Sequence, residues 1–186
     1  MLHHSKPGNP SRNIHRRLAV SRTRLIISIV LLVLVIWVLF LVQTHYIEHY
    51  EVIGRSMAPT LLSGDRLLIR RGVAQYHRGD IVALNRPDRP VVNLVKRIVA
   101  MHPDRVRVHE GVVFVNGTKL NPPHAFKPGG SFPERRLRLE ADQVFVLGDN
   151  PPDSVDSRTF GPVPLALLKG RVIYRIWPPQ RRGPVE

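Results

Sequence analysis

The sequence contains no cysteine. That excludes a disulfide scaffold, a thiolate nucleophile and cysteine-ligated zinc or iron–sulfur sites, while leaving the compartment open. Helical periodicity is missing as well: beyond residue 42 no segment keeps an amphipathic helical period for three turns. A parallel α/β fold needs crossover helices and is therefore excluded. The first twenty-four residues contain no acid. The basic stretches lack the interleaved aromatics and the finger spacing that mark base recognition, so a formal charge of +14 does not point to nucleic acid. Anionic lipid is the simpler partner for scattered positive charge.

What the chain does contain begins with a long apolar run. Leu25 to Val42, "LIISIVLLVLVIWVLFLV", holds no charge, no proline and one hydroxyl, Ser28. As a helix it is roughly 27 Å long, close to the ~30 Å of a hydrocarbon layer. A soluble core helix is rarely apolar on every face for this length. Lys6, Arg12, Arg16, Arg17, Arg22 and Arg24 precede it, and the positive-inside rule keeps that end in the cytoplasm. A cleaved signal peptide would be shorter and followed by small residues, whereas "QTHYIEHYEV" follows here, with no A-x-A-like site. The expected organisation is a basic cytoplasmic segment (1–24), a permanent transmembrane signal anchor (25–42), an extracytoplasmic domain (43–178) and a basic, proline-bearing tail (179–186). The 186-residue chain has room for one ordinary domain beyond the anchor.

That domain reads as strands. "RLLIR" (66–70), "DIVAL" (80–84), "NLVKRIVAM" (93–101), "RVRVH" (105–109), "QVFVLGDN" (143–150) and "GRVIYRIW" (170–177) carry strand signals. "GVVFVNGTKL" (111–120) adds turns at Glu110–Gly111 and Asn116–Gly117. The turn also explains Asn116-Gly117-Thr118 better than its match to a glycosylation sequon. "LNPPHAFKPGGSFPERR" (120–136) reads as a long excursion, and "PLALLKG" (164–170) is the one modest helical candidate. With 13 glycines and 17 prolines, the expectation is a mostly β fold, a coiled or barrel-like antiparallel sheet behind a single helix.

Three stretches bear on chemistry. The first is "GRSMAPTLLSGD", residues 54–65, where Ser56 is either a turn residue or a nucleophile. A serine nucleophile needs a neighbouring base. His3, His4 and His15 precede the anchor, and His77, His102, His109 and His124 show no paired carboxylate pattern. "HYIEH" (45–49) matches a short zinc motif, but that motif requires a helix, and this segment reads as extended. The second stretch supplies another base, Lys96. Leu94, Lys96 and Ile98 share one strand face, and Val95, Arg97 and Val99 share the other. Burial there would favour the neutral amine; the alternative is a lysine snorkelling at a sheet edge. The third is "GDNPPDSVDSRTFG" (148–161), either an ordered surface turn or a set of polar groups that orient a lysine.

Together these stretches resemble bacterial type I signal peptidase, the membrane-anchored serine protease family of the Ser–Lys dyad class. "SMAPTLLSGD" (56–65) resembles its nucleophile box, "RGDIVAL" (78–84) the strand that follows, "VKRIVA" (95–100) the box of the base, and "GDNPPDSVDSRTFGPVP" its last box. The resemblance implies Ser56 as nucleophile, Lys96 as general base and Arg97 as its neighbour. It implies Ser154 as a hydrogen-bond partner of the lysine, and Asp149, Asp156 and Arg158 in supporting ion pairs. Gly54 stands where some members carry an oxyanion-hole serine, which leaves more of that work to the Ser56 backbone N–H. Met57 is a candidate pocket wall. The resemblance further implies removal of signal peptides from exported preproteins, with small residues preferred at the first and third positions before the cut. It implies a bacterial plasma-membrane location and no metal, nucleotide or other cofactor. Self-cleaving repressors share a serine and a "VKR" lysine, but the anchor and the last box exclude them. A related dyad protease that processes pilus or conjugation proteins, and an inactive membrane-anchored β protein, are the remaining alternatives.

Overall fold

The computed structural model describes residues 10–120 and 134–185. The chain divides into two compact units, one ending at His45 and one beginning at Tyr46. Helix α1, Pro10–Tyr46, longer than the expected anchor at both ends, makes up the described part of the first and ends on the opening residue of the second. Proline is tolerated at a first helical turn, and nothing after Pro10 interrupts the helix. Within it Arg22–Leu41 is long and apolar enough to cross a membrane, and its side chains from Leu25 to Leu41 lie exposed.

The second unit is mostly antiparallel β, as expected. Its strands are β1 (Ile47–Glu51), β2 (Arg66–Arg70), β3 (Ile81–Arg86), β4 (Arg89–Met101), β5 (Arg105–His109), β6 (Val112–Val115), β7 (Thr118–Lys119), β8 (Arg135–Arg138), β9 (Gln143–Leu147), β10 (Val163–Pro164), β11 (Leu168–Trp177) and β12 (Gly183–Pro184). The larger sheet runs β1-β2-β11-β3-β4-β9-β10, with β12 on β11; the smaller runs β7-β6-β5-β8. The smaller sheet packs Val106, Val108, Val113 and Val115 against Ala100 of β4 and Phe145 of β9, so period-two alternation sends every second residue of β5 and β6 inward.

Both hairpin turns fall where the sequence places them. Glu110 and Gly111 have φ of 49° and 77°, and Asn116 and Gly117 have 52° and 84°, the left-handed pair that two-residue hairpins need. The Asn116 side chain accepts from the Arg105 N–H (2.9 Å) and donates to Asp104 (2.8 Å). Most of the expected excursion, residues 121–133, lies outside the described residues together with His124, but its end forms β8. "PLALLKG" forms only a 3-10 turn, Leu165–Leu167, before β11 takes over. Residues 179–185, expected as a tail, fold back: β12 pairs with β11, and Val185 packs on the core formed by Met57, Leu61 and Leu67.

Candidate active site

The 54–65 loop is held from beneath. At its neck the Val52 N–H donates to the Asp65 carbonyl and the Gly64 N–H to the Val52 carbonyl, both at 2.9 Å. Gly54 and Gly64 have φ of 89° and 88°, conformations that glycine adopts without strain. One turn of helix-like chain (Leu61 N–H to the Met57 carbonyl, 2.8 Å) drives Met57 and Leu61 into the core. These two buried side chains fix the loop, and Ser56 rides on it. Its Oγ stands beside Lys96.

Lys96 sits in the middle of β4, opposite Val82 of β3. On either side of it the strand is packed: Leu94 and Ile98 belong to a cluster with Val82, Val144 and Val146, while Val95 packs on the Met57 and Leu61 cluster. The side chain is 2% exposed, which rules out snorkelling. Its Nζ lies 2.7 Å from Ser56 Oγ and donates to the Val95 carbonyl at 2.9 Å. Desolvation brings the Lys96 pKa from 10.5 down to about 8, against the opposing pull of the Asp156 and Asp149 carboxylates.

The last box supplies those carboxylates and their counter-charges. Arg158 grips Asp156 through Nε (2.8 Å) and Nη2 (2.9 Å), and both residues are fully buried. Asp156 caps helix α2, Ser157–Phe160, and also accepts from the Gly148 N–H at 3.1 Å. These donors offset the cost of burying the carboxylate. Arg97 holds Asp149 in a second two-pronged pair (2.9 and 2.8 Å) and donates to the Gly79 carbonyl.

One expected contact differs. The Ser154 hydroxyl donates to Asp156 Oδ2 at 2.7 Å and not to Lys96, whose hydrogen bonds go to Ser56 and Val95. A carboxylate two residues along the same turn is a stronger acceptor than an amine already engaged. Ser154 thus reaches Lys96 through the Asp156 charge.

Several residues of this site carry no chemistry-bearing signature in sequence. Asn150 ties the last box to the loop that carries Ser56: its N–H donates to the Ser56 carbonyl and its side chain to the Arg55 carbonyl, both at 3.0 Å. Gly148 is the only residue type that fits its place. A Cβ there would lie 2.4 Å from the Ser56 carbonyl oxygen and 2.3 Å from Ser154 Oγ. Asp65, 1% exposed, anchors the far side of the loop with Arg175 (3.3 Å) and Arg181 (3.1 Å). Both guanidiniums also donate to the Thr60 carbonyl. A "GD" pair at a loop end was the available signal for Asp65; its arginines lie more than a hundred residues away and gave none.

The remaining candidates fall elsewhere. β1 starts at Ile47, inside "HYIEH", so the helix that the zinc motif needs ends at Tyr46. His102 Nδ1 lies 3.1 Å from the Leu139 carbonyl, and His109 sits 3.9 Å from Glu134 on the smaller sheet. Beside the Ser56–Lys96 pair opens a cleft of about 230 Å³, lined among others by Ile53, Met57, Leu94 and Val95.

The family profile described as "Signal peptidase, peptidase S26" matches residues 22–177. The chain belongs to the signal peptidase family. It is 35% identical over 136 residues to the mitochondrial inner membrane protease subunit 1 of Xenopus tropicalis, covering 72% of this chain and 71% of that one. It is 31% identical over 147 residues to a signal peptidase I of Bacillus caldolyticus, covering 70% and 80%. A solved signal peptidase I structure from Enterococcus faecalis V583 aligns with 54% of this chain and 98% of its own at 25% identity, with a TM-score of 0.43. Membership makes this chain a hydrolase, a serine peptidase with a helix suited to membrane anchoring, and removes the repressor alternative.

Proposed function

We propose that the protein is a membrane-anchored endopeptidase that removes N-terminal signal peptides from exported preproteins, with Ser56 as nucleophile and Lys96 as general base. The observation that carries this reading is the 2.7 Å approach of a buried, pKa-lowered lysine to a serine hydroxyl at the edge of a cleft. The neutral amine takes the Ser56 proton as Oγ bonds to the scissile carbonyl carbon. The charge that develops on the carbonyl oxygen meets the Ser56 N–H, which donates to no other acceptor among the described residues. Gly54, with no neighbour within 4 Å of a built Cβ, leaves that side of the loop open to the substrate. As the intermediate collapses, the Lys96 ammonium protonates the leaving amine. Water then adds to the ester, giving its proton to Lys96, and the ester oxygen regains a proton as Ser56 is released. Arg97–Asp149 and Arg158–Asp156 hold the two strands and the last box in register around the pair. The cleft is small, about 230 Å³, which suits short side chains before the cut. Every step is served by protein groups, with no metal, nucleotide or other cofactor required.

The all-basic flank before Leu25 supports an orientation with the N-terminus in the cytoplasm of a bacterial cell and the β domain outside. Protease added outside intact spheroplasts should digest the chain beyond Val42 and spare a tag at Met1; protection of the β domain refutes this orientation. The activity itself is tested by incubating the detergent-solubilised protein with a secretory precursor and weighing both fragments. A single cut after a small residue, absent with Ser56→Ala, is expected. An intact precursor with the wild-type protein overturns the proposal.

A further inference from the structure

The outer face of the smaller sheet is an arginine cluster that no step of the proposed reaction uses. Because Val106, Val108, Val113 and Val115 point inward, alternation turns Arg105, Arg107 and Phe114 outward. Pairing then places like charges side by side: Arg105 opposite Arg138, and Arg107 opposite Arg136. Lys119 stands opposite Phe114 on the next strand. Like charges directly across a ladder repel, and this face holds two such pairs in succession. Among the described residues only Glu134 answers them, contacting Arg136 at 3.4 Å and His109 at 3.9 Å. Residues 121–133, which connect β7 to β8, contain a lysine and a histidine but no acid, so that segment has no carboxylate to offer. The four arginines surround an open cavity of about 470 Å³ floored by Val106, Phe114 and Leu137.

We infer that this face docks on anionic phospholipid headgroups. Four fork-shaped donors converging on an open cavity match phosphate oxygens. The chain carries its own reason to meet lipid: α1, apolar enough to cross a membrane, ends at Tyr46, and β1 begins at the next residue. A body tethered this closely meets headgroups at high effective concentration, and each basic residue near an anionic surface strengthens association roughly five-fold. Single-stranded nucleic acid is a poorer match, since base stacking needs an open aromatic face and the Arg107 guanidinium covers Phe114 at 4.5 Å.

The absence of cysteine allows a single reporter. Lys119→Cys, labelled with a bimane in the full-length protein, is placed in nanodiscs containing headgroup-spin-labelled lipid. Quenching should be at least two-fold stronger in discs with 30% phosphatidylglycerol than in phosphatidylcholine alone. It should weaken at 0.5 M salt, and the lipid difference should vanish in Arg105→Ser/Arg107→Ser/Arg138→Ser. That variant should keep wild-type cleavage of a soluble peptide, which shows that it folds. Equal quenching in both lipids, or a difference that survives the triple substitution, overturns the inference. So does a change in bimane emission produced in phosphatidylcholine discs by inorganic phosphate or a short oligonucleotide and matching that produced by phosphatidylglycerol, because the ligand would then come from solution.

Discussion

Lys96→Arg and a pH profile test the base assignment most severely. Burial lowers the Lys96 pKa from 10.5 to about 8, a difference equivalent to about 3 kcal/mol of disfavour for the ammonium. At pH 7 about one Lys96 in ten is then neutral, against about one in three thousand for a free lysine, so its surroundings as a whole raise the neutral form about three-hundred-fold. Measured on a signal-peptide substrate, kcat/KM should climb about tenfold per pH unit below pH 8 and level off above it. Lys96→Arg should be folded and inactive, since guanidinium stays charged across this range. His49→Ala and His102→Ala should leave the limb in place. A limb centred near pH 6.5, the unperturbed histidine range, or substantial turnover by Lys96→Arg would refute the reasoning. Stability carries a linked signature. Between about pH 8 and 10.5 the unfolded chain binds more protons at this lysine than the folded one, so folding stability rises with pH across that window. Below it the penalty is fully present. Lys96→Met should therefore raise stability at pH 7, by about 1–3 kcal/mol, as activity disappears.

Gly148→Ala should fold but lose about a hundredfold or more in turnover, because its methyl group would displace the Ser56 carbonyl and Ser154; near-normal kcat would show that the last box does not fix the loop. Ser154→Ala should reduce kcat about tenfold and leave measurable activity, since Asp156 keeps Arg158 and the Gly148 N–H. A loss as complete as that of Ser56→Ala would place Ser154 in direct contact with the reaction. Asp65→Asn should lower stability by about 2 kcal/mol, readable as a fall in thermal midpoint, by leaving Arg175 and Arg181 without their buried counter-charge. An unchanged midpoint would show that those arginines are satisfied by the Thr60 carbonyl alone.

Local sequence was enough to find most of this architecture. An uncharged run from Leu25 to Val42 has few places to go but lipid, and "RLLIR" and "RVRVH" alternate so regularly that both strands end where the reading put them. The Asn-Gly turn was equally local, since it depends on two residues with positive φ. β1 was harder to see, because "IEHYE" is polar and pairs only along β2 at the sheet edge. β12 was hidden by Gly-Pro, which carries no strand propensity and is held by β11. The family resemblance of the motifs brought Ser56, Lys96, Arg97, Asp149, Ser154, Asp156 and Arg158 onto one short roster of candidates. Whether Lys96 was buried or snorkelling was not decided by alternation, because both faces of β4 read as apolar. Its burial opposite Val82 of β3 and beside the loop that carries Ser56 decided it, and with it the lowered pKa. Tertiary structure also turned Ser154 toward Asp156 and brought Asn150, Asp65, Arg175 and Arg181 to the loop that carries Ser56. These are contacts between residues up to 122 positions apart, and the pairing of distant hydrogen-bonding and charged groups is set by how strands stack, which no local window of sequence contains.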